Sequence, residues 1–167
     1  YTIKYCILIS VIVMIVLLFS RLSLEITFLP EDGLPYFSIP IGIASILITF
    51  LIRPNIAFIV GTIISFLVAI MYQFNFTVFL FLLFCSYSTT LSVYNATKRS
   101  DLIVSGYFIG FINCIFIFSL GLFQESTDLV FYGVNFILGF VSSILSAMFS
   151  LAILPYFESL FKITTNQ

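Results

Sequence analysis

No histidine occurs in this chain of 167 residues, and no aspartate or glutamate falls inside its long apolar runs. That excludes a Ser–His pair, a histidine metal cluster and an HExxH helix. Cys6, Cys85 and Cys114 lie in or near apolar runs, at spacings that suit neither a metal nor a disulfide framework, and read as small hydrophobes. The chain by itself is therefore expected to be no enzyme and to hold no cofactor or metal. The residues left for function are small or amide-bearing. Gly106, Gly110 and Asn113 recur at i, i+4 and i+7, on one face of a helix, and Asn135, Gly139, Ser142, Ser146 and Ser150 form a similar stripe. Small residues let membrane helices approach closely, and amides hydrogen-bond across the contact. One reading is a tight helix pair with Asn113 and Asn135 as interhelical bonds. The other is a polar lining for a small ligand, or a sliding seam for signalling. The residues leave both open.

The elements that carry these stripes are read from hydropathy. Apolar residues make up 62% and charged residues 8%, with a mean hydropathy of +1.26, whereas a soluble domain carries about 25% charged residues. Six apolar runs cover about 3–20, 35–52, 55–72, 76–94, 102–123 and 129–154. About 20 apolar residues cross the hydrocarbon core as a helix, and in lipid each run must satisfy its own backbone. The expected fold is all-α: a six-helix transmembrane bundle over 1–155, then a short cytoplasmic segment over 156–167. Lys4, Arg53, Lys98, Arg99 and Lys162 fall at one end of such a bundle and Arg21 at the other, so both termini are expected in the cytoplasm. The 22 Phe read as lipid-facing filler or interhelical packing. The Lys98–Arg99 pair is too small a basic patch for nucleic acid. The first residue is Tyr1 and no small-residue cleavage site follows the first span, so a signal peptide is not expected and the chain reads as a piece of something longer.

Several rim residues carry local signals. Pro54 is expected to open the third span and to keep Arg53 out of helical geometry. Ser100 or Asp101 is expected to cap the fifth span. The acidic loop 21–34 reads as a solvated connector. Past Pro155, Phe157, Leu160 and Phe161 share a face, and Glu158 and Lys162 form an i, i+4 pair. That pattern is expected to be a short amphipathic helix lying on the inner membrane surface, a natural coupler to a cytosolic domain.

Three stretches together carry a resemblance. They are Leu51-Ile52-Arg53-Pro54-Asn55-Ile56-Ala57; Arg99-Ser100-Asp101-Leu102 with Gly106, Gly110 and Asn113; and Ser143-Ile144-Leu145-Ser146-Ala147 through Leu154-Pro155-Tyr156-Phe157-Glu158-Ser159-Leu160-Phe161-Lys162-Ile163-Thr164-Thr165. Over about 40–165 the chain resembles the transmembrane region of bacterial receptors with seven spans and an intracellular HD hydrolase. The resemblance implies an external domain, seven spans and a metal-dependent HD phosphodiesterase acting on cyclic di-AMP. Thr164 and Thr165 would lead into that hydrolase, whose ligands are absent here, so no catalytic residue carries over. An external domain and an internal hydrolase need an odd number of spans, so the first of seven is expected upstream of Tyr1.

The resemblance makes the chain the anchor and sensor domain of a membrane-bound phosphodiesterase in the bacterial cell membrane. Its implied partners are the lipid bilayer, the HD domain of the same polypeptide, an external sensor domain and a small ligand. Homodimerisation through Gly106 and Gly110 stays open beside an intramolecular contact. A six-helix vitamin-transporter subunit is the alternative, although the span over 3–20 lacks the alanines such subunits use, and a six-span scaffold is a third reading.

Overall fold

The computed structural model describes residues 2–25, 35–96, 98–123 and 129–161. Among them every regular element is helical. The elements are α1 (Thr2–Glu25), a 3-10 turn (Pro35–Ser38), α2 (Gly42–Leu51), α3 (Pro54–Met71), α4 (Phe76–Val93), α5 (Arg99–Phe123) and α6 (Leu129–Phe161). Five of these, all but the 3-10 turn and α2, are long and apolar enough to cross a membrane. Their outer faces match that role. On α1, Ile3, Ile7, Met14, Leu18 and Leu22 are exposed, while Leu8, Ile12 and Val16 on the opposite face are fully buried. Such an apolar exterior is at home in lipid, where it needs no protein cover.

The expected second span, 35–52, is broken. It enters as a 3-10 turn, passes through Ile39–Ile41 and becomes helical only from Gly42. Two prolines explain the break. Pro40 has no N–H to donate, and the residue before a proline is steered away from the helical region. The irregular backbone is satisfied locally, by Ile39 N–H to Tyr36 O at 3.4 Å, Ile41 N–H to Ile39 O at 2.9 Å and Ile43 N–H to Pro40 O at 3.1 Å. It is also buried, with Ile39 at 2% and Ile41 at 0% exposure. Non-helical backbone at membrane depth is tolerated where protein covers it. With 10 residues, α2 is about 15 Å long, half the hydrocarbon thickness. It is nevertheless a centre of the bundle, with Ile43, Ala44, Ile46, Leu47 and Ile48 sealed from the surface.

The second departure is at the other end. The sixth span does not stop at Leu154 with a separate surface helix after it. Instead α6 runs without interruption through Pro155 to Phe161, 33 residues or about 50 Å. The proline removes one backbone bond, but the helix continues past it because Leu154 at 0% and Phe157 at 8% exposure anchor both sides of it in the main core. Tyr156 faces outward.

The turns follow their sequence signals more closely. Arg53 is extended (φ −164°, ψ 147°) and Pro54 opens α3, as expected. Asn75 caps α4, its Oδ1 accepting from Thr77 N–H at 3.0 Å. Asp101 does cap α5: its Oδ2 accepts from Lys98 N–H at 2.9 Å. Ser100 is exposed in the first turn.

Candidate functional site

The two stripes meet. Gly106, Gly110 and Asn113 of α5 face α6, and the contact is as tight as the residue types suggest. A Cβ built on Gly106 would stand 2.7 Å from Ala147 Cβ, one on Gly110 2.7 Å from the Phe140 ring, and one on Gly139 2.5 Å from Ile117 Cδ1. Gly121, outside the stripe, likewise leaves room for the Tyr132 ring. At each of these points any side chain would collide with its neighbour.

Asn113 is fully buried. Its Nδ2 donates to Ser143 Oγ on α6 at 2.8 Å and to Cys85 Sγ on α4 at 3.4 Å. Ser143 lies just beside the serine stripe read from the sequence, one residue from Ser142. The Asn113 Oδ1 has no hydrogen-bond partner. Asn135, also fully buried, donates from Nδ2 to Phe131 O of its own helix at 2.8 Å.

Where α2 begins, these helices enclose a polar seam. Gly42 and Ile39 from the break face Thr89 of α4 and Ser142, Ser143 and Ser146 of α6. A Cβ on Gly42 would meet Ser146 Cβ at 3.0 Å, Ser146 Oγ at 3.2 Å and Thr89 Oγ1 at 3.6 Å. The space between atoms is about 220 Å3 in all, but none of it admits the centre of a water molecule. In this conformation the seam is a packed contact rather than a cavity.

The hydroxyl groups there bond mostly along their own helices. Ser142 and Ser143 donate to Gly139 O at 3.0 and 2.8 Å, Ser146 to Ser142 O at 2.7 Å, Ser150 to Ser146 O at 2.6 Å and Thr89 to Cys85 O at 2.7 Å. Back-bonding of this kind satisfies a hydroxyl in a membrane helix without tying it to a neighbour. Several hydrogen bonds do cross between helices, among them Thr62 Oγ1 with the Tyr87 hydroxyl at 2.9 Å, which joins α3 to α4, and Ser105 Oγ to Ser92 O at 3.3 Å, which joins α5 to α4. Asn113 to Ser143 joins α5 to α6, and Ser45 Oγ to Ser86 Oγ at 2.8 Å joins α2 to α4. The Ser45–Ser86 pair is reinforced by Gly61 of α3, where a Cβ would collide with Ser86 Oγ. Gly42, Ser45, Gly61 and Ser86 all lie outside the two stripes read from the sequence. The signal that could have found them is the small-residue content of α3 and α4 themselves.

At the end of the bundle that holds the α2–α3 and α4–α5 turns, Arg99 Nη2 meets Glu158 Oε2 at 2.9 Å. The Arg99 side chain is half exposed and that of Glu158 is 19% exposed. The pair links the start of α5 to α6 beyond Pro155. Glu158 thus has a long-range partner in Arg99, while Lys162, its expected i+4 partner, lies outside the described residues, as do Thr164 and Thr165. Arg53 and Pro54 sit at the same end, in the α2–α3 turn.

Among the described residues no group of His, Cys, Asp or Glu could hold a metal ion. The helices form two sets, α2 to α4 and α5 with α6, which are joined by the Asn113–Cys85 and Ser105–Ser92 bonds between α5 and α4 and otherwise meet at the seam, where the hydroxyl groups bond mostly along their own helices.

Comparisons with known proteins agree with this picture. The cyclic-di-AMP phosphodiesterase PgpH of Bacillus subtilis (strain 168) is 27% identical over 135 residues, covering 77% of this chain but 19% of the relative's own length. The chain thus spans about a fifth of the relative it matches. No solved structure matches. The family described as the 7TM receptor with intracellular HD hydrolase matches residues 2–165, nearly the whole chain. The chain belongs to that family, and its five membrane-capable helices fit the membrane part of such a receptor.

Proposed function

We propose that this chain anchors an HD-type phosphodiesterase in the bacterial cell membrane and relays a signal to it through α6, with cyclic di-AMP as the nucleotide hydrolysed. The observation that carries the relay is the length of α6. About 50 Å of continuous helix exceeds a hydrocarbon core of about 30 Å, so one rod extends from the seam to beyond the bilayer. The distribution of basic residues supports a cytoplasmic position for that emerging end: Lys4, Arg53, Lys98 and Arg99 fall at that end and Lys162 follows it in the sequence, against Arg21 at the other end.

The hydrogen bonds support a particular motion. One set is α2, α3 and α4, held by Ser45–Ser86 and the Gly61 contact. The other is the α5–α6 hairpin, interlocked at Gly106, Gly110 and Gly139. Between them the seam at Gly42, Thr89 and Ser146 is bonded mostly to itself. A shift of the hairpin against the first set breaks few interhelical bonds and moves the emerging end of α6. Packed interfaces of this kind switch between discrete arrangements, and an external ligand acts by favouring one of them.

A reversible lock tests this. A Cβ on Gly42 stands 3.0 Å from that of Ser146, close to the 3.5–4.5 Å of a disulfide. The Gly42→Cys/Ser146→Cys pair is introduced into the full-length protein, with Cys6, Cys85 and Cys114 replaced. In lipid nanodiscs, oxidation is expected to change cyclic di-AMP hydrolysis and reduction to restore it. Identical rates in both states would make the bundle an anchor and nothing more.

A further inference from the structure

The third turn of α6 beyond the seam poses a mechanical difficulty. At Pro155 the helix lacks one backbone bond, and the proline ring crowds the carbonyl four residues earlier, which makes this the place where a helix bends. A shift of the hairpin would then be absorbed at Pro155 unless the segment after it is held to the hairpin by something else. The structure supplies a tie directly after the proline. Glu158 is bonded to Arg99, 59 residues earlier in the chain and at the first residue of α5. Among the described residues two ion pairs occur, and the other, Arg21–Glu25, lies within one helix with both side chains exposed. Arg99–Glu158 alone of the two spans separate elements. The Arg99 end is itself fixed: Asp101 caps the Lys98 N–H, Ser105 Oγ donates to Asp101 O at 2.8 Å, and Leu102 is fully buried. Phe157, next to Glu158, is set in the apolar core, so the charged contact is made by a segment already lying against the bundle.

We propose that Arg99–Glu158 is a coupling latch: it makes the segment of α6 after Pro155 move with the α5–α6 hairpin, so that a shift at the Gly42–Ser146 seam reaches the HD domain instead of dissipating at the proline. The inference rests on the relay reading above and adds its transmission step. A charge-assisted bond of this length fixes direction as well as distance. Because one partner is half exposed, the latch is also open to screening by salt.

The test uses full-length protein in lipid nanodiscs carrying the Gly42→Cys/Ser146→Cys lock, and reads the ratio of cyclic di-AMP hydrolysis rates in the oxidised and reduced states. The ratio is compared in the parent, in Arg99→Gln, in Glu158→Gln and in the swapped Arg99→Glu/Glu158→Arg pair. The expected result is a ratio different from one in the parent, moved toward one by about two- to five-fold in each single variant, the scale of a half-exposed ion pair, and restored in the swap. An equal ratio in all four overturns the latch and leaves the relay standing. A ratio of one in the parent overturns the relay, and the latch with it. A second readout is independent of hydrolysis. Spin labels at Ser100 and Tyr156, both exposed, should report a narrow distance distribution in the parent and a broader one in Glu158→Gln. An unchanged distribution shows that the apolar anchor suffices, and overturns the latch even if a variant loses activity by misfolding.

Discussion

Adding one methyl group at Gly106 should disrupt the α5–α6 hairpin more than its size suggests. A Cβ there would lie 2.7 Å from Ala147 Cβ, with Ser143 O at 3.5 Å and Ile144 Cα at 3.8 Å. Carbon atoms pack best at about 3.5–4.0 Å, so the two methyl carbons are about 1 Å too close. Neither can rotate away, because an alanine methyl carbon is Cβ itself, and no side-chain torsion moves it relative to the backbone. The helices must separate instead, and they are also held at Gly110 and Gly139, where the built Cβ atoms contact Phe140 and Ile117. Overpacking of this kind costs about 1–3 kcal/mol, and Gly106→Ala should lower stability by about that amount. Gly133, in the same hairpin, has nothing within 4 Å of its built Cβ. Gly133→Ala should therefore be neutral, or stabilising by up to about 1 kcal/mol, the helix-propensity difference between the two residues. The partner change Ala147→Gly removes the opposing methyl group, so the Gly106→Ala/Ala147→Gly pair should recover most of the loss. Denaturant titration of the purified domain in detergent micelles, followed by helicity, measures all four proteins. If Gly106→Ala and Gly133→Ala behave alike, or the partner change recovers nothing, the hairpin is not packed as described.

Other perturbations bear on separate contacts. Asn113→Val should shift stability by under about 1 kcal/mol, because an interhelical hydrogen bond in a membrane is worth about 0.6 kcal/mol and the change also removes the unpaired Oδ1; a loss above about 2 kcal/mol in the same titration would make the amide a stronger tie than its contacts account for. Ser45→Ala and Ser86→Ala should each cost about 1 kcal/mol, with the double variant costing little more than either, since both remove the same bond; additive losses would show that the bond is absent. Asn75→Ala should cost about 1 kcal/mol by removing the α4 cap, and Asn75→Ser should recover most of that.

The long helices were legible because their signal is the amount of apolar surface, which the lipid environment demands of every spanning segment. The broken second span was not. Its composition over 35–52 is that of a spanning helix, and Pro35 and Pro40 near its start are compatible with a first turn and a kink as well as with a break. Whether a proline kinks a helix or stops it depends on what surrounds the backbone it frees. Here Tyr36, Phe37, Ile39 and Ile41 are all buried, which lets a non-helical stretch persist at that depth. Burial on all sides is a property of the assembled bundle, and no periodicity within the segment encodes it. Pro155 shows the opposite outcome for the same residue type. It was read as the end of a span, yet the helix continues, because Leu154 and Phe157 on either side are both locked into the core. In each case the proline marks a weak point, and tertiary packing decides what happens there.

The site divides in the same way. The glycine positions on α5 and α6 are visible in their spacing, and Cβ atoms built at Gly106, Gly110 and Gly139 would stand 2.7, 2.7 and 2.5 Å from side-chain atoms of the facing helix. The hydroxyl groups do not reveal their role. A serine stripe looks the same in sequence whether its protons bond across the interface or back along the helix, and only geometry shows that Ser142, Ser146, Ser150 and Thr89 do the latter. That distinction determines what the seam can do. Serines bonded across it would fix α2 to α6 in one register. Serines bonded to their own helices leave a contact whose energy is mostly dispersion, and its two faces can exchange one close-packed arrangement for another without exposing an unpaired group. The membrane favours such an arrangement, since any broken interhelical bond would leave a polar group in hydrocarbon. The residues that hold the helices together are therefore separable from those at which the proposed relay would move them. The glycines interlock α5 with α6, Ser45 and Ser86 join α2 to α4, and the self-bonded hydroxyls mark the boundary between these sets.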